Sequence, residues 1–350
     1  MTIHLDGKKV LIIKLRYIGD TLSLLPVIEN LRKKARNTTV DIMVNKGTEE
    51  VMAPHPGIRR LWVYDRRRAK RNAVSSLRYH GTLIRQLRSE KYDAVIDFTH
   101  GDRAAFIAFM TGAPHRITYQ NASTLSHLLM NHIIRSDPLK HHIVDQQLLS
   151  LRLFGLDDLD RTLRLHIPQS FLGRAAELIA GAGIPEETLK VVVHPGSRGR
   201  LRQWRPERFA EVARRLVQST PATIMLIGGP EEGALVEEVE RNMGFPASLK
   251  SCGLSLLEMA ALLSRCQLFL GNDSAPGHIA AAVGCPSVTL FGPTFPHLWR
   301  PLSAVGEVLF KNVPCCGCRQ EACIRPDSHC MDLIEVDEVW GVIRKLLVIP

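Results

Sequence analysis

Four short stretches of this 350-residue chain combine side chains in ways that suit chemistry on an anionic substrate. The first is Arg16-Tyr17-Ile18-Gly19-Asp20, where a carboxylate follows a glycine just after an apolar run, Lys8 to Leu15. A carboxylate there can take a proton from an incoming hydroxyl as a general base. It can equally be a helix N-cap, a position that aspartate favours. The second stretch, His194 to Trp204, carries Gly196, Ser197, Arg198, Gly199, Arg200 and Arg202. Backbone amides and forked guanidinium groups together suit a diphosphate. The third is Gly228-Gly229-Pro230-Glu231-Glu232. Its glutamates either favour the start of the next helix through the dipole or accept hydrogen bonds from a ribose or base. In the fourth, an apolar run stops at Gly271-Asn272-Asp273-Ser274 and a small-residue helix, Ala275 to Val283, begins with Pro276 in its first turn. Proline fits that turn because it has no N–H to lose. Unpaired amides and the positive end of the helix dipole then point at one place, which suits phosphate.

The elements that must hold these stretches alternate between strand and helix. Lys8–Leu15, Val40–Val44, Arg60–Tyr64 and Tyr92–Phe98 read as strands, the first being apolar throughout as a strand covered on both faces requires. The segments 74–88 and 141–154 read as helices, and Leu163–Ile167 as a short strand. The pattern then restarts: strands at Lys190–Val193, Thr223–Ile227, Ser248–Cys252, Leu268–Leu270 and Ser287–Phe291 are separated by helices at 206–218, 231–243, 256–264 and 275–283. This is an α/β series with doubly wound parallel sheets. It divides into a domain at 1–168, a domain at 169–335 joined near Pro168 to Pro185, and an amphipathic last helix within 336–350 that could pack on either domain, the first included. Two Rossmann-like domains facing each other across a cleft are expected, with ligands outside the carboxyl ends of the strands. Neither G-x-G-x-x-G nor a P-loop lysine is present, which weighs against nicotinamide and P-loop chemistry.

Charge narrows the partners. The net charge of +10 favours phosphorylated substrates or an anionic membrane face. Nucleic acid is not expected, because aromatic residues are 6% of the chain and are not interleaved with the basic runs. The most concentrated basic stretch is Arg66, Arg67, Arg68, Lys70 and Arg71, followed by Arg78, Arg85 and Arg88. It reads either as a solvated surface or as a contact for phosphates of a lipid-linked acceptor or anionic headgroups. No apolar run is long enough to span a bilayer and the charged start is not a signal peptide, so a cytoplasmic location is expected.

Taken in order, Lys14-Leu-Arg-Tyr-Ile-Gly-Asp-Thr-Leu22, the segment 141–155, His194-Pro-Gly-Ser197 with Arg202-Gln-Trp204, Gly228-Gly-Pro-Glu-Glu232, and Gly271-Asn-Asp-Ser-Ala-Pro-Gly-His278 with Leu290-Phe-Gly-Pro-Thr294 resemble the motifs of the glycosyltransferase family 9 heptosyltransferases. The resemblance covers almost the whole chain. It implies a GT-B fold and an inverting, metal-independent transfer of L-glycero-D-manno-heptose from ADP-heptose. The acceptor would be the inner core of lipopolysaccharide, at the inner face of the inner membrane. By motif, Asp20 takes the place of the family's base. Ser197, Arg198 and Arg202 fall in the phosphate loop, with arginine at 202 where the family usually has lysine. Glu232 or Glu231 matches the acidic residue near the adenosine. Asp273 and Ser274 match the loop holding sugar and diphosphate, with Gly277 and His278 on the helix behind. The alternatives are a GT-B transferase or epimerase using another nucleotide sugar, or a catalytically inert nucleotide-binding protein. The Asp158-x-Asp160 pair follows a helix instead of a strand end, which weighs against a metal-binding role.

Five of the eight cysteines lie at 315, 316, 318, 323 and 330. The spacing fits no standard zinc or iron–sulfur pattern. Cys315, Cys316, Cys318, Cys323 and Cys330 read as a structural cluster, held by pairing and packing or by a bound metal. No cofactor is expected for the transfer itself.

Overall fold

Val10 to Ile13 are fully buried, as are Val191 to Val193 and Leu268 to Leu270. Covering each such side chain contributes roughly 1.5–3 kcal/mol, so these runs become the inner strands of sheets covered by helices on both faces. The computed structural model describes residues 2–318, 322–325 and 329–349. The chain forms two compact units, Met1–His166 and Ile167–Pro350.

In the first unit the strands are β1 (Lys9–Lys14), β2 (Thr39–Asn45), β3 (Arg60–Tyr64), β4 (Ala94–Asp97), β5 (His115–Tyr119) and β6 (His132–Ile134). They are parallel, in the order β3-β2-β1-β4-β5-β6. The second unit has β7 (Leu189–His194), β8 (Ala222–Ile227), β9 (Leu249–Ser251), β10 (Leu268–Asn272), β11 (Ser287–Phe291) and β12 (Gly306–Phe310). Its order, β12-β11-β10-β7-β8-β9, is the same topology counted from its own first strand. Each sheet therefore reverses direction of growth between its first and fourth strands. That switch point, at the carboxyl ends, is where open α/β sheets bind ligands. Both units are Rossmann-like, the architecture of the GT-B fold.

Several elements differ from those expected. Leu163–Ile167 is not a strand: Leu163 and Leu165 are buried, but β3 and β6 form the sheet edges and neither pairs with it. The joining stretch holds a helix, Gln169–Gly181. The segment 141–154 is an α-helix, Ile143–Leu148, tightening into a 3-10 helix, Leu149–Phe154, closed by Gly155 at φ +72°. β5, β6 and β12 were not anticipated, because polar residues such as His115, Arg116 and Glu307 interrupt their apolar pattern. The last helix, Val336–Leu347, lies on the helix Pro206–Ser219 of the second unit, and Val339 and Ile343 enter that unit's core.

Candidate functional site

In the first unit, β1 ends in a buried lysine. Lys14 is 2% exposed, and its Nζ donates to the carbonyl of Phe98 at 3.1 Å. The loop then turns into a five-residue helix, Ile18–Leu22. Asp20 is not the N-cap of that helix; Tyr17 is, and Asp20 stands in the first turn. Its Oδ1 lies 3.5 Å from Lys14 Nζ. Burial holds the lysine below its ordinary pKa, while Asp20 pulls the other way. The cap reading thus gives way to a carboxylate aligned by a buried ammonium at the switch point.

The neighbouring strand end, β4, brings Asp97 beside the same lysine. Its Oδ1 accepts the Thr99 N–H at 2.7 Å, and Oδ2 has no hydrogen-bond partner among the described residues. Burial raises this carboxyl from 3.8 to about 7, against hydrogen bonds from Thr99 and His100 and the charge of Lys14. His100, with φ +62°, is pushed down to about 3 by burial and by Lys14 and Arg16. An acid raised by folding binds its proton more tightly when folded. Its contribution is therefore fully present below 3.8 and is lost as pH rises towards 7. Asp97→Asn removes that loss, so its gain in stability is expected to be roughly 3 kcal/mol larger at pH 8 than at pH 5. Thermal melts of both proteins at the two pH values check this; an equal gain at both would refute it.

In the second unit, the loops after β7, β8 and β10 converge at the switch point. Asn272 ties two of them together: Oδ1 accepts the Trp204 N–H at 3.0 Å, and Nδ2 donates to the Pro195 carbonyl at 2.7 Å. Ser197 Oγ donates to the Asp273 carbonyl, and Gln203 Nε2 to the Ser197 carbonyl. Arg202 Nη1 reaches Asp273 Oδ2 at 3.2 Å, and that carboxylate is 8% exposed. The helix Ala275–Ala282 has Pro276 at its start and no side-chain cap, because Ser274 Oγ donates back to the Asn272 carbonyl. Gly271 is required where it is: a Cβ would stand 2.9 Å from the His194 carbonyl and 2.7 Å from the Phe269 ring.

The structure separates the two glutamates. Glu231 is exposed. Glu232 turns inward, 3.2 Å from His194 Nε2, and accepts the Gly229 N–H at 2.7 Å. His194 first, then Gly229, holds its carboxyl below the ordinary range despite burial. It lies so close over Gly196 that a Cβ there would fall 2.1 Å from its Oε1.

Ser197, Arg202, Asp273, Ser274 and Glu232 are thus gathered at adjacent strand ends. Gly277 is buried and His278 partly buried on the helix behind, and Arg198 is exposed. Trp204 is a core residue, donating to the Ile334 carbonyl. Arg66 differs from its basic neighbours: its Nε donates to Asn45 Oδ1 at 3.1 Å and Nη2 to the Leu15 carbonyl at 2.6 Å, so it braces the loop leading to Asp20. Arg67, Arg68, Lys70 and Arg71 are exposed. Sequence reasoning missed Lys14, Asp97, His194 and Asn272. Their signal was a polar side chain ending an otherwise apolar strand, which a buried residue with a task would leave.

With two Rossmann-like units and a phosphate-suited set of loops in the second, the chain belongs to glycosyltransferase family 9 (heptosyltransferase), whose pattern matches residues 80–329. It is a glycosyltransferase. It is similar to the lipopolysaccharide heptosyltransferase 3 of Escherichia coli, 28% identical over 296 residues that make up 83% of this chain and 85% of that protein. Its fold is that of the glycosyl transferase family 9 protein from Veillonella parvula, with a TM-score of 0.90, 24% identity and 99% of each chain covered. It also matches E. coli heptosyltransferase WaaC, solved with ADP-2-deoxy-2-fluoro heptose, at a TM-score of 0.73 and 18% identity, covering 96% of this chain and 99% of that one.

Proposed function

We propose that this protein transfers L-glycero-D-manno-heptose from ADP-heptose to the inner core of lipopolysaccharide, with inversion and without a metal in the chemical step. The observation that carries the reading is the pair of switch-point sets. One offers a carboxylate, Asp20, beside the buried Lys14; the other offers Arg202, Ser197 and a helix start suited to a diphosphate. The donor is supported by the ADP-sugar for which the WaaC structure is named, and the acceptor class by the name of the E. coli relative.

In the step proposed, an acceptor hydroxyl oxygen bonds to the anomeric carbon as the bond from that carbon to the ADP oxygen breaks. The hydroxyl proton goes to Asp20 and the electron pair leaves with ADP. Negative charge grows on the leaving diphosphate, and preorganised donors placed there lower the barrier. Arg202, Arg198 and the first turn of the helix Ala275–Ala282 supply those donors and the opposing positive charge, and Glu232, oriented by His194, accepts from the adenosine. The test is ADP release from ADP-heptose with heptose-deficient lipopolysaccharide, EDTA present, against UDP- and GDP-sugars as donors. Release with another donor and none with ADP-heptose would replace this reading by the other nucleotide-sugar enzyme.

We further propose peripheral attachment to the inner face of the inner membrane. Among the described residues no helix is long and apolar enough to cross a membrane. Between residues 66 and 89 there is no acidic side chain, and the helix Ala73–Ser89 exposes Val74 and Leu77, 79% and 77%, one turn apart beside those cations. Basic side chains with apolar neighbours suit an anionic lipid surface. Binding to phosphatidylglycerol vesicles is expected to fall by roughly a hundredfold or more in the triple variant Arg67→Glu, Arg68→Glu, Arg71→Glu. Unchanged co-sedimentation would remove this surface from the reading.

A further inference from the structure

Two places outside the strand-end sites gather metal-ligating side chains. The first is Glu29, His55 and His166, the group of three among the described residues whose ligand atoms all lie within 4.8 Å. Chemistry argues against a cation there. Glu29 is already held by Arg32 at 2.7 Å and Lys33 at 3.2 Å. His55 Nδ1 accepts the Gly57 N–H at 3.0 Å, so in the neutral ring the proton sits on Nε2, the nitrogen facing the carboxylate. A metal would need the lone pair that this tautomer does not have.

The second place is different. Cys315, Cys316, Cys318, Cys323, His329 and Cys330 line one cavity of about 20 Å³, room for a single ion. All five sulfurs are free thiols. Cys315 and Cys318 flank a tight turn in which Gly317 has φ +81° and donates its N–H to the Pro293 carbonyl at 2.8 Å. A Cβ at Gly317 would also meet the Phe295 ring at 2.8 Å, so that turn admits only glycine. Cys323 Sγ rests on the Arg325 peptide, 3.4 Å from its N and 3.5 Å from its O. Cys316 is occupied elsewhere, donating to the Lys311 carbonyl.

We infer that Cys315, Cys318, Cys323 and Cys330 form a tetrahedral thiolate site for one divalent metal of the zinc or ferrous type. The ion is a staple, remote from bond making. Leu201 and Pro293 line the same cavity, so it lies directly behind the arm that carries Arg202. Beyond Cys330, the segment is tied to that arm again: Asp332 pairs with Arg205 at 2.6 Å, and Trp204 Nε1 donates to the Ile334 carbonyl at 2.9 Å. Closing the shell would hold Cys315–Cys318 and Cys330–Ile334 against the phosphate loop, which implies weaker donor binding when the metal is removed.

The test measures metal, so it stands or falls apart from the transfer reaction. The full chain, purified reduced and without chelator, is assayed by mass spectrometry for zinc and iron. It is then stripped and reloaded with zinc or cobalt(II). About one ion per chain is expected, zinc or iron, with strong sulfur-to-cobalt charge-transfer absorption in the cobalt form. Cys318→Ser and Cys330→Ser should lose both signals, and Cys316→Ser and Cys285→Ser should keep them. Because a cysteine variant can fail to fold, the wild-type cobalt spectrum decides independently. Reduced wild-type protein that takes up neither ion overturns the site, as does full metal content in both Cys318→Ser and Cys330→Ser.

Discussion

Asp20→Ala is expected to lower kcat by about 10²- to 10⁴-fold, the usual contribution of a positioned general base, while leaving ADP affinity nearly unchanged. The split follows from where the side chain lies. Asp20 belongs to the first unit and touches Lys14, whereas the phosphate-suited loops belong to the second. Its replacement therefore removes a proton acceptor without removing a donor contact. It also leaves Lys14 buried with the Phe98 carbonyl and Asp97 as its remaining neighbours, so a disturbed strand end adds to the loss. Asp20→Asn separates the two effects, because the amide keeps shape and a hydrogen-bonding oxygen but cannot take the proton. Equal loss in Asp20→Asn and Asp20→Ala, with melting temperatures near wild type, is the result that a base requires. Full activity in Asp20→Asn would reduce Asp20 to a partner for the lysine. Steady-state rates at saturating donor, beside equilibrium titration with ADP, measure both quantities.

The second large effect is expected at Arg202. Removing one preorganised donor to developing charge typically costs about 2.7–4 kcal/mol, or roughly 10²- to 10³-fold. Arg202→Ala should lower kcat/KM by that order. The loss has a second source in this structure. Asp273, paired to Arg202 and almost buried, would be left as an uncompensated carboxylate beside the phosphate-suited loop, repelling the diphosphate. Adding Asp273→Asn to Arg202→Ala should therefore recover part of the ADP affinity without recovering kcat. Arg202→Lys keeps the charge but loses the planar fork, and should fall between alanine and wild type. A wild-type kcat/KM in Arg202→Ala would mean that this arginine only braces the loop.

How much of this was legible in the chain depends on how local each feature is. Leu11 to Ile13 and Val191 to Val193 are apolar because both faces of their strands are covered, so the strands, their alternation with helices and the loops that follow could be read directly. The polar strands β5 and β12 could not, since Arg116 or Glu307 in a short segment mimics a loop. The same limit applies at the sites. Residue type and spacing placed Asp20, Arg202, Asp273 and Ser274 at strand ends, and the order of their motifs identified the family. The sequence by itself thus determined the α/β alternation, the loops that carry chemistry and the cysteine-rich stretch. Only the tertiary structure decided that Asp20 answers to Lys14 instead of capping a helix, that Glu232 and not Glu231 turns inward to His194, that Asp273 grips Arg202, and that five spaced cysteines share one cavity with Leu201. Two of these, His194 with Glu232 and Arg202 with Asp273, are contacts between strand ends distant in the chain. They are set by the order in which parallel strands pair, and no local pattern of residues encodes that order.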